Sequence, residues 1–131
     1  MDLSHSFGFW KEFYSNTYKR PSIFNDIKNT LIYEEKDKIL LYLKSGLPIV
    51  GGRGTVFCPI HLNAINSGSE VYVDGLWFWT GEAIHYIENH DIAIPASLLA
   101  HMKKHQFICT KIDEKDDTIW TFLYEKSFNL L

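Results

Sequence analysis

The sequence predicts a single α+β domain that comprises residues 1–131. Helix-like spacing of apolar residues comes first, then a glycine-rich and β-branched stretch, then two more helical stretches, then further strand-like segments. This order indicates an antiparallel or mixed sheet rather than a βαβ array. Hydrophobic residues make up 46% and charged residues 22% of the chain, a composition that excludes general disorder. The length is sufficient for one core and too short for two.

The N-terminal part of the chain predicts helices. Aromatic residues at spacings of three and four predict a short helix over residues 7–18, which Pro21 ends. Ser22 is placed to cap a second helix. A further apolar stripe predicts another helix, with Gly46 as its C-terminal stop. The stripe consists of Ile39, Leu40 and Leu43.

The sheet is predicted to begin at residue 47. Residues 47–50 and 55–60, around the turn at residues 51–54, are predicted to form two short strands or a strand and its entry loop. Asp74-Gly75 between apolar β-formers predicts a hairpin with a two-residue type I′ turn. Val71, Val73, Leu76 and Phe78 would then face the core, whereas Glu70, Tyr72, Trp77 and Trp79 would share the other face. That second face is predicted to be a half-polar aromatic platform, covered by a helix or exposed to a partner.

Two short helices and a second hairpin are predicted to follow. Thr80 is a suitable N-cap for the first helix and Glu82 suits its first turn. Pro95 suits the first turn of the next helix. Residues 107–112 and 118–124 are rich in β-formers and flank a polar loop, so they predict a C-terminal hairpin.

Charge and composition exclude several functional classes. The chain carries 13 Lys and Arg against 16 Asp and Glu, a net charge of -3, and no basic stripe that would bind nucleic acid. The first six residues lack the features of an export signal, and no apolar window is long enough to cross a bilayer. These features predict a soluble cytoplasmic protein in which Cys58 and Cys109 are reduced.

Clusters of histidine and cysteine are the candidates for metal binding or catalysis. His101 and His105 stand four residues apart, but Lys103 and Lys104 lie between them and favour a solvated basic helix face. Cys58 and His61 offer two ligands without a second pair nearby. No serine or cysteine has the context of an activated nucleophile. We therefore predict no catalytic residues, no metal and no cofactor.

Acidic and aromatic side chains instead predict a protein-binding surface. Residues 113–117 place four carboxylates within five positions. Such a loop complements a basic protein, while exposed aromatics supply much of the affinity of an interface. The predicted contact residues are Asp74, Trp77, Trp79, Glu82, Asp113, Glu114, Asp116 and Asp117.

Residues 74–102 also carry a family resemblance. They read DGLWFWTGEAIHYIENHDIAIPASLLAHM, with Asp-Gly, two spaced aromatics, a helix containing a tyrosine, and an Ile-Pro helix start. This pattern resembles the immunity proteins of bacterial contact-dependent growth inhibition and related polymorphic toxins. The resemblance implies a cytosolic inhibitor that binds the C-terminal domain of one cognate toxin, often a nuclease, and blocks its active site or substrate path.

Two alternatives from other classes remain open. A small metal-dependent or acid/base enzyme would centre on the histidines of the helices, with Glu82 or Glu88 as the carboxylate. A non-catalytic subunit of a larger assembly would use the aromatic platform to self-associate. The histidines in question are His85, His90, His101 and His105.

Overall fold

The computed structural model describes residues 4–14, 20–51, 57–58, 64–65 and 70–131. They form a mixed sheet with helices on both faces, so the predicted α+β class is confirmed. The elements in chain order are β1 (Ser6–Phe7), α1 (Ile23–Ile27), α2 (Lys36–Lys44), β2 (Leu47–Val50), β3 (Val71–Val73), β4 (Phe78–Thr80), α3 (Gly81–His90), α4 (Ala96–Lys104) and α5 (Asp117–Leu130).

The described strands lie in the order β1-β4-β3-β2. β1 runs parallel to β4, whereas the β4/β3 and β3/β2 pairs are antiparallel. The ladder between β2 and β3 is irregular between Pro48 and Val50. Pro48 has no backbone N–H to give to a ladder, which suits an edge strand such as β2.

The hairpin between β3 and β4 has a longer turn than the sequence predicts. Val73 pairs with Phe78, so the connection spans residues 74–77 rather than two residues. The carboxylate of Asp74 explains the difference, because its Oδ1 accepts hydrogen bonds from the backbone N–H groups of Leu76 at 2.9 Å and Trp77 at 2.7 Å. Leu76 consequently stands in the turn, half exposed, and not in the core.

The division of the hairpin between two faces is confirmed despite this shift. The pairing moves by two residues, and side chains alternate with a period of two, so each strand residue keeps its face. Val71, Val73 and Phe78 contribute to one core, whereas Tyr72, Trp77 and Trp79 contribute to the other.

Each face of the sheet is covered by helices. Trp79 packs in a large core with residues of α2, α3 and α4. On the opposite face, Leu123 and Leu130 of α5 pack with Val71 and Val73. The sheet is therefore the middle layer of three, and α5 is separated from α2 by the sheet.

Helix α2 ends at Lys44, just before Gly46, and the structure shows a second reason for a glycine at this position, which is the lack of space for a side chain. A Cβ on this residue would lie 2.4 Å from the ring of Trp79. The Trp79 indole donates a hydrogen bond of 3.0 Å to the carbonyl of Leu43, which places the ring over Gly46. The predicted helix stop thus coincides with the close approach of a buried tryptophan to the backbone.

The predicted N-terminal helix over residues 7–18 is wrong for the residues described. Ser6–Phe7 forms β1, Gly8 has a φ of 93°, and the backbone then turns after Trp10. Phe7 and Trp10 lie in the core under α3, whereas Phe9 and Tyr14 lie in the core under α5. The aromatic spacing therefore reflects a segment that supplies both cores, not one face of a helix. Residues 15–18 lie outside the described part.

The predicted C-terminal hairpin is also wrong. Residues 117–130 form α5, which begins at the N-cap Asp116 and buries Leu123, Ser127 and Leu130 at helical spacing. Residues 107–112 are irregular, and Phe107 has a φ of 58°. The sheet face made by Val71, Val73 and Phe78 needs an apolar cover, and an amphipathic helix supplies it in spite of the β propensity of residues 118–124.

Several other predictions of secondary structure are confirmed where they are described. Ser22 caps α1 and accepts a hydrogen bond of 3.2 Å from the N–H of Phe24. Thr80 caps α3 and accepts one of 3.1 Å from Ala83. Residues 47–50 form β2 as predicted, whereas in the predicted second strand Phe57 makes an isolated bridge to Ala64 and Cys58 is not in a strand. Residues 52–56 and 59–60 lie outside the described part.

Glu12 provides a pH-dependent contact at the start of α1. Its carboxylate accepts hydrogen bonds of 2.7 Å from the Ser22 hydroxyl and 2.7 Å from the Ile23 N–H. Burial alone would raise the pKa of Glu12, but these hydrogen bonds outweigh it and hold the pKa below its ordinary value. The ionised form is therefore favoured by folding, and its contribution is lost as the pH falls through the folded pKa.

Replacing Glu12 with glutamine is expected to lower the free energy of unfolding by about 1 kcal/mol at neutral pH, because one acceptor oxygen is replaced by a donor. At a pH below the folded pKa of Glu12 both chains carry a neutral group, so the difference is expected to shrink toward zero. Urea unfolding at the two pH values measures this, with Glu34→Gln at an exposed position as the matched control. An equal loss at both pH values would contradict the assigned role of the carboxylate.

Candidate functional site

Four of the predicted contact residues lie inside the protein. The exposed fraction is 5% for Asp74, 4% for Trp77, 0% for Trp79 and 0% for Glu82. Of the two predicted alternatives for the aromatic platform, coverage by a helix or exposure to a partner, the structure shows the first. These side chains are not available as a surface, and each has a role within the fold.

Asp74 is the centre of a buried polar network. Beyond the two turn N–H groups at Oδ1, its Oδ2 accepts the hydroxyl of Tyr42 at 2.5 Å and lies 2.9 Å from Nε2 of His101. Burial, followed by the hydrogen bond to Asp74, raises the pKa of Tyr42 well above its ordinary value. The phenol therefore stays protonated and donates. The network joins α2, the hairpin turn and α4.

Two other groups, His101 and Cys109, lie beside this network. Nε2 of His101 lies 2.9 Å from Asp74, and its ring centre lies 4.6 Å from that of His105 with the two rings tilted by 57°. Both histidines are half-buried, so of the four residues only Lys103 and Lys104 fit the predicted solvated basic face. Burial and then the charge of Asp74 raise the pKa of Cys109 to about 11. A thiol with this pKa is protonated at neutral pH and is a poor nucleophile.

Glu82 connects α3 to the end of α5. Its Oε2 accepts a hydrogen bond of 3.2 Å from the Tyr14 hydroxyl. The guanidinium of Arg20 lies 5.7 Å from the centre of the Tyr14 ring and donates a hydrogen bond of 2.5 Å to the carbonyl of Leu130. Glu82 thus stands in the first turn of α3, as predicted, but its role is internal.

The two carboxylates of the acid/base hypothesis have partners on other parts of the fold. Glu88 pairs with Lys44 of α2 at 2.7 Å, and Glu82 contacts Tyr14. A groove of about 400 Å³ lies beside β1 and the connection between α3 and α4. Its carboxylate, Asp26, accepts a hydrogen bond of 2.5 Å from the Trp10 indole, and no histidine or cysteine of the described residues lines it.

Cys58, His85 and His90 come together, which the sequence did not predict. Cys58 is fully buried against α3, and its Sγ lies 3.7 Å from Nε2 of His90 and 3.5 Å from the hydroxyl of Tyr86. One ligand atom from each of Cys58, His85 and His90 lies within 4.8 Å of the others. Cys58 is distant in sequence from the two histidines of α3, so no local spacing signals the set of three. His61, the ligand paired with Cys58 in the sequence hypothesis, lies outside the described part.

An aromatic stripe on α5 is the clearest exposed feature. It consists of Trp120, Tyr124 and Phe128, whose neighbouring ring centres are 4.9 and 6.3 Å apart with interplanar angles of 15° and 21°. Tyr124 is 36% and Phe128 59% exposed. Phe122, on another side of the helix, is 55% exposed. The stripe recurs every four residues, so it was visible in the sequence once the segment is taken as a helix.

The acidic loop, residues 113–117, leads directly into this helix. Asp113, Glu114 and Asp117 are exposed. Asp116 is half-buried and caps α5, accepting hydrogen bonds of 3.1 Å from Thr118 and 3.2 Å from Ile119. These carboxylates lie near the N-terminus of α5, where negative charge interacts favourably with the helix dipole. The four predicted contact residues of the acidic loop therefore immediately precede, or begin, the helix that carries the exposed aromatics.

Comparisons of the chain with protein-family models, with curated proteins and with solved structures gave no match. Within the described residues, no helix combines the length and apolar character that a membrane crossing requires.

Proposed function

We propose that the protein is a cytoplasmic immunity protein that binds the C-terminal domain of a cognate toxin in a stoichiometric complex and neutralises it. The observation that carries this proposal is the aromatic stripe of α5 beside the acidic loop. The resemblance of residues 74–102 to immunity proteins of contact-dependent growth inhibition supports it. The buried residues Asp74, Trp77, Trp79 and Glu82 are not part of the binding surface.

The stripe has the chemistry of an interface core. Aromatic side chains bury large areas on binding and lose little conformational freedom, and they are enriched among the residues that dominate affinity. Tyr124 and Phe128 already stack on a neighbouring ring. Their positions are therefore partly fixed before a partner binds, which lowers the entropic cost of association.

The acidic loop has the chemistry of an interface rim. Exposed carboxylates accelerate the approach of a positively charged partner and disfavour acidic ones. A toxin domain that cleaves nucleic acid binds the phosphate groups of its substrate through a basic surface. Asp113, Glu114 and Asp117 match such a surface in charge, and the net charge of -3 is of the same sign. A nuclease domain is thus the class of toxin that this surface fits best.

Reversing two charges of the loop is expected to slow association. In Asp113→Lys/Glu114→Lys, the association rate with the toxin domain should fall about tenfold at low ionic strength and much less at high salt, because screening removes the attraction. Stopped-flow fluorescence measures the rate. The matched control is Glu34→Lys/Asp37→Lys, which changes the net charge equally near α2, across the sheet from α5. Equal slowing by both variants would reject the loop as the directing group.

Growth rescue tests the proposed function itself. The toxin domain to use is the C-terminal domain of the protein encoded immediately upstream, expressed under an inducible promoter. Co-expression of the wild-type chain is expected to restore growth, and co-expression of a chain with Phe128→Asp and Tyr124→Asp is expected not to. If the wild type gives no rescue although the toxin domain is active, the cognate-neighbour proposal is rejected.

A further inference from the structure

We infer that Cys58, His85 and His90 form a binding site for a divalent transition metal, with Zn²⁺ as the best match. This inference is independent of the proposed function, since the three residues lie on α3 and on the segment next to it and not on α5. It rests on the convergence of three side chains with metal-binding atoms from two parts of the chain.

The distances are close to those of a tetrahedral centre. Bonds of about 2.3 Å from zinc to sulfur and about 2.0 Å to nitrogen place neighbouring ligand atoms about 3.5 Å apart. Sγ of Cys58 and Nε2 of His90 are 3.7 Å apart. The three ligand atoms all lie within 4.8 Å of one another, so the largest separation exceeds the tetrahedral spacing by no more than about 1.3 Å.

The donor set selects the metal. One thiolate and two imidazoles suit zinc, copper and nickel, whereas calcium and magnesium require oxygen ligands. Three protein ligands leave a fourth tetrahedral position for water or an external ligand. Cys58 is buried, and both histidines are half-buried, so the metal would be held at the edge of the core with access from solvent.

Neighbouring groups hold the ligands in place. The ring of Tyr86 lies 5.1 Å from His85 and 5.0 Å from His90, and its hydroxyl lies 3.5 Å from Sγ of Cys58. A thiolate at Cys58 would accept a hydrogen bond from that hydroxyl. Nδ1 of His85 lies 3.3 Å from the side-chain amide of Asn89, whereas its Nε2 is buried. Such outer contacts fix the orientation of ligands and tune affinity.

The site would have a structural consequence. His85 and His90 belong to the last turns of α3, and Cys58 follows Phe57, which makes the isolated bridge to Ala64. A metal bound to all three would fix this bridge segment to α3. Bound metal is therefore expected to raise the thermal unfolding temperature of the wild-type protein.

Cobalt substitution of the untagged, metal-free protein tests the inference. Addition of Co²⁺ is expected to saturate at one equivalent and to give a thiolate-to-cobalt charge-transfer band together with the strong visible bands of tetrahedral cobalt. Competition with a chromophoric chelator then measures Zn²⁺ affinity. His90→Asn should weaken Zn²⁺ binding by at least about 100-fold, and Cys58→Ser should abolish the charge-transfer band. The matched control, Cys109→Ser/His105→Asn, should change neither.

Three results would overturn the inference. They are the absence of a charge-transfer band in the wild-type protein, unchanged Zn²⁺ affinity in His90→Asn, and loss of the band in the control variant. The wild-type measurement needs no mutation, so it can contradict the inference even if a variant fails to fold. Growth rescue by the Cys58→Ser chain would show that toxin neutralisation does not require the metal site. The metal site and the proposed function can therefore be rejected independently of each other.

Discussion

Replacing Asp74 with alanine is expected to lower the free energy of unfolding by about 3–5 kcal/mol, because it removes the acceptor at the centre of a buried network. The Tyr42 hydroxyl and the N–H groups of Leu76 and Trp77 would each lose their hydrogen bond to the carboxylate. Each buried donor left unsatisfied costs about 1–3 kcal/mol. Urea unfolding followed by tryptophan fluorescence measures the loss.

Two further variants define the origin of that loss. Asp74→Asn keeps an acceptor oxygen but removes the charge, so we expect a loss of about half that of alanine. Asp113→Ala, at an exposed position, should change stability by less than about 0.5 kcal/mol. A stability of Asp74→Ala within 1 kcal/mol of the wild type, roughly the net value of one hydrogen bond, would show that the turn and Tyr42 do not depend on this carboxylate.

Removing two rings of the aromatic stripe is expected to abolish most of the toxin affinity while leaving the fold intact. Alanine at central interface aromatics costs about 2 kcal/mol or more each, so Tyr124→Ala/Phe128→Ala should weaken binding by at least about 100-fold. Both rings are exposed in the free protein, which limits the loss of folding stability to about 1 kcal/mol. Biolayer interferometry measures the affinity, and the change should lie mainly in the dissociation rate.

The matched control removes an exposed apolar side chain from the other side of the sheet. Leu41 of α2 is 66% exposed, and Leu41→Ala should leave toxin affinity unchanged. If the stripe variant and the wild type bind equally well, α5 is not the binding surface. A loss of affinity in Leu41→Ala that equals the loss in the stripe variant would move the surface to α2.

Capping and periodicity rules predicted the structure correctly wherever it depends only on residues that are close in sequence. Thr80 begins α3 because its hydroxyl satisfies a helix N–H, and this depends on a few neighbouring residues only. The faces of the hairpin followed from a period of two, and they survived an error in turn length. That error arose because the Asp74 carboxylate, and not a type I′ turn, satisfies the turn N–H groups.

Two elements were mispredicted because tertiary packing decided them. Phe7 and Phe9 belong to different cores, so helical spacing in the N-terminal segment had no single face to define. Residues 118–124 have high β propensity, but the open face of the sheet required an amphipathic cover, and α5 provides it. Propensity alone could not show that this face was otherwise uncovered.

The candidate sites were predictable to different degrees. The acidic loop was visible from composition, and Trp120, Tyr124 and Phe128 would have been visible as a stripe had the segment been taken as helical. The burial of Asp74 and Glu82 could not be predicted from the sequence. Their hydrogen-bond partners inside the protein, Tyr42 and Tyr14, are distant in sequence. The cluster of Cys58 with the two histidines of α3 likewise exists only once the chain is folded.

Calorimetric titration of the wild-type protein with the C-terminal domain of the upstream-encoded toxin tests the central claim most directly. We expect one-to-one binding with a dissociation constant in the nanomolar range, as is typical of stable interfaces of standard size. Titration of the Tyr124→Ala/Phe128→Ala protein should show weak binding or none. The absence of binding by the wild-type protein to an active toxin domain would contradict the claim, and equally tight binding by both proteins would contradict its assignment to α5.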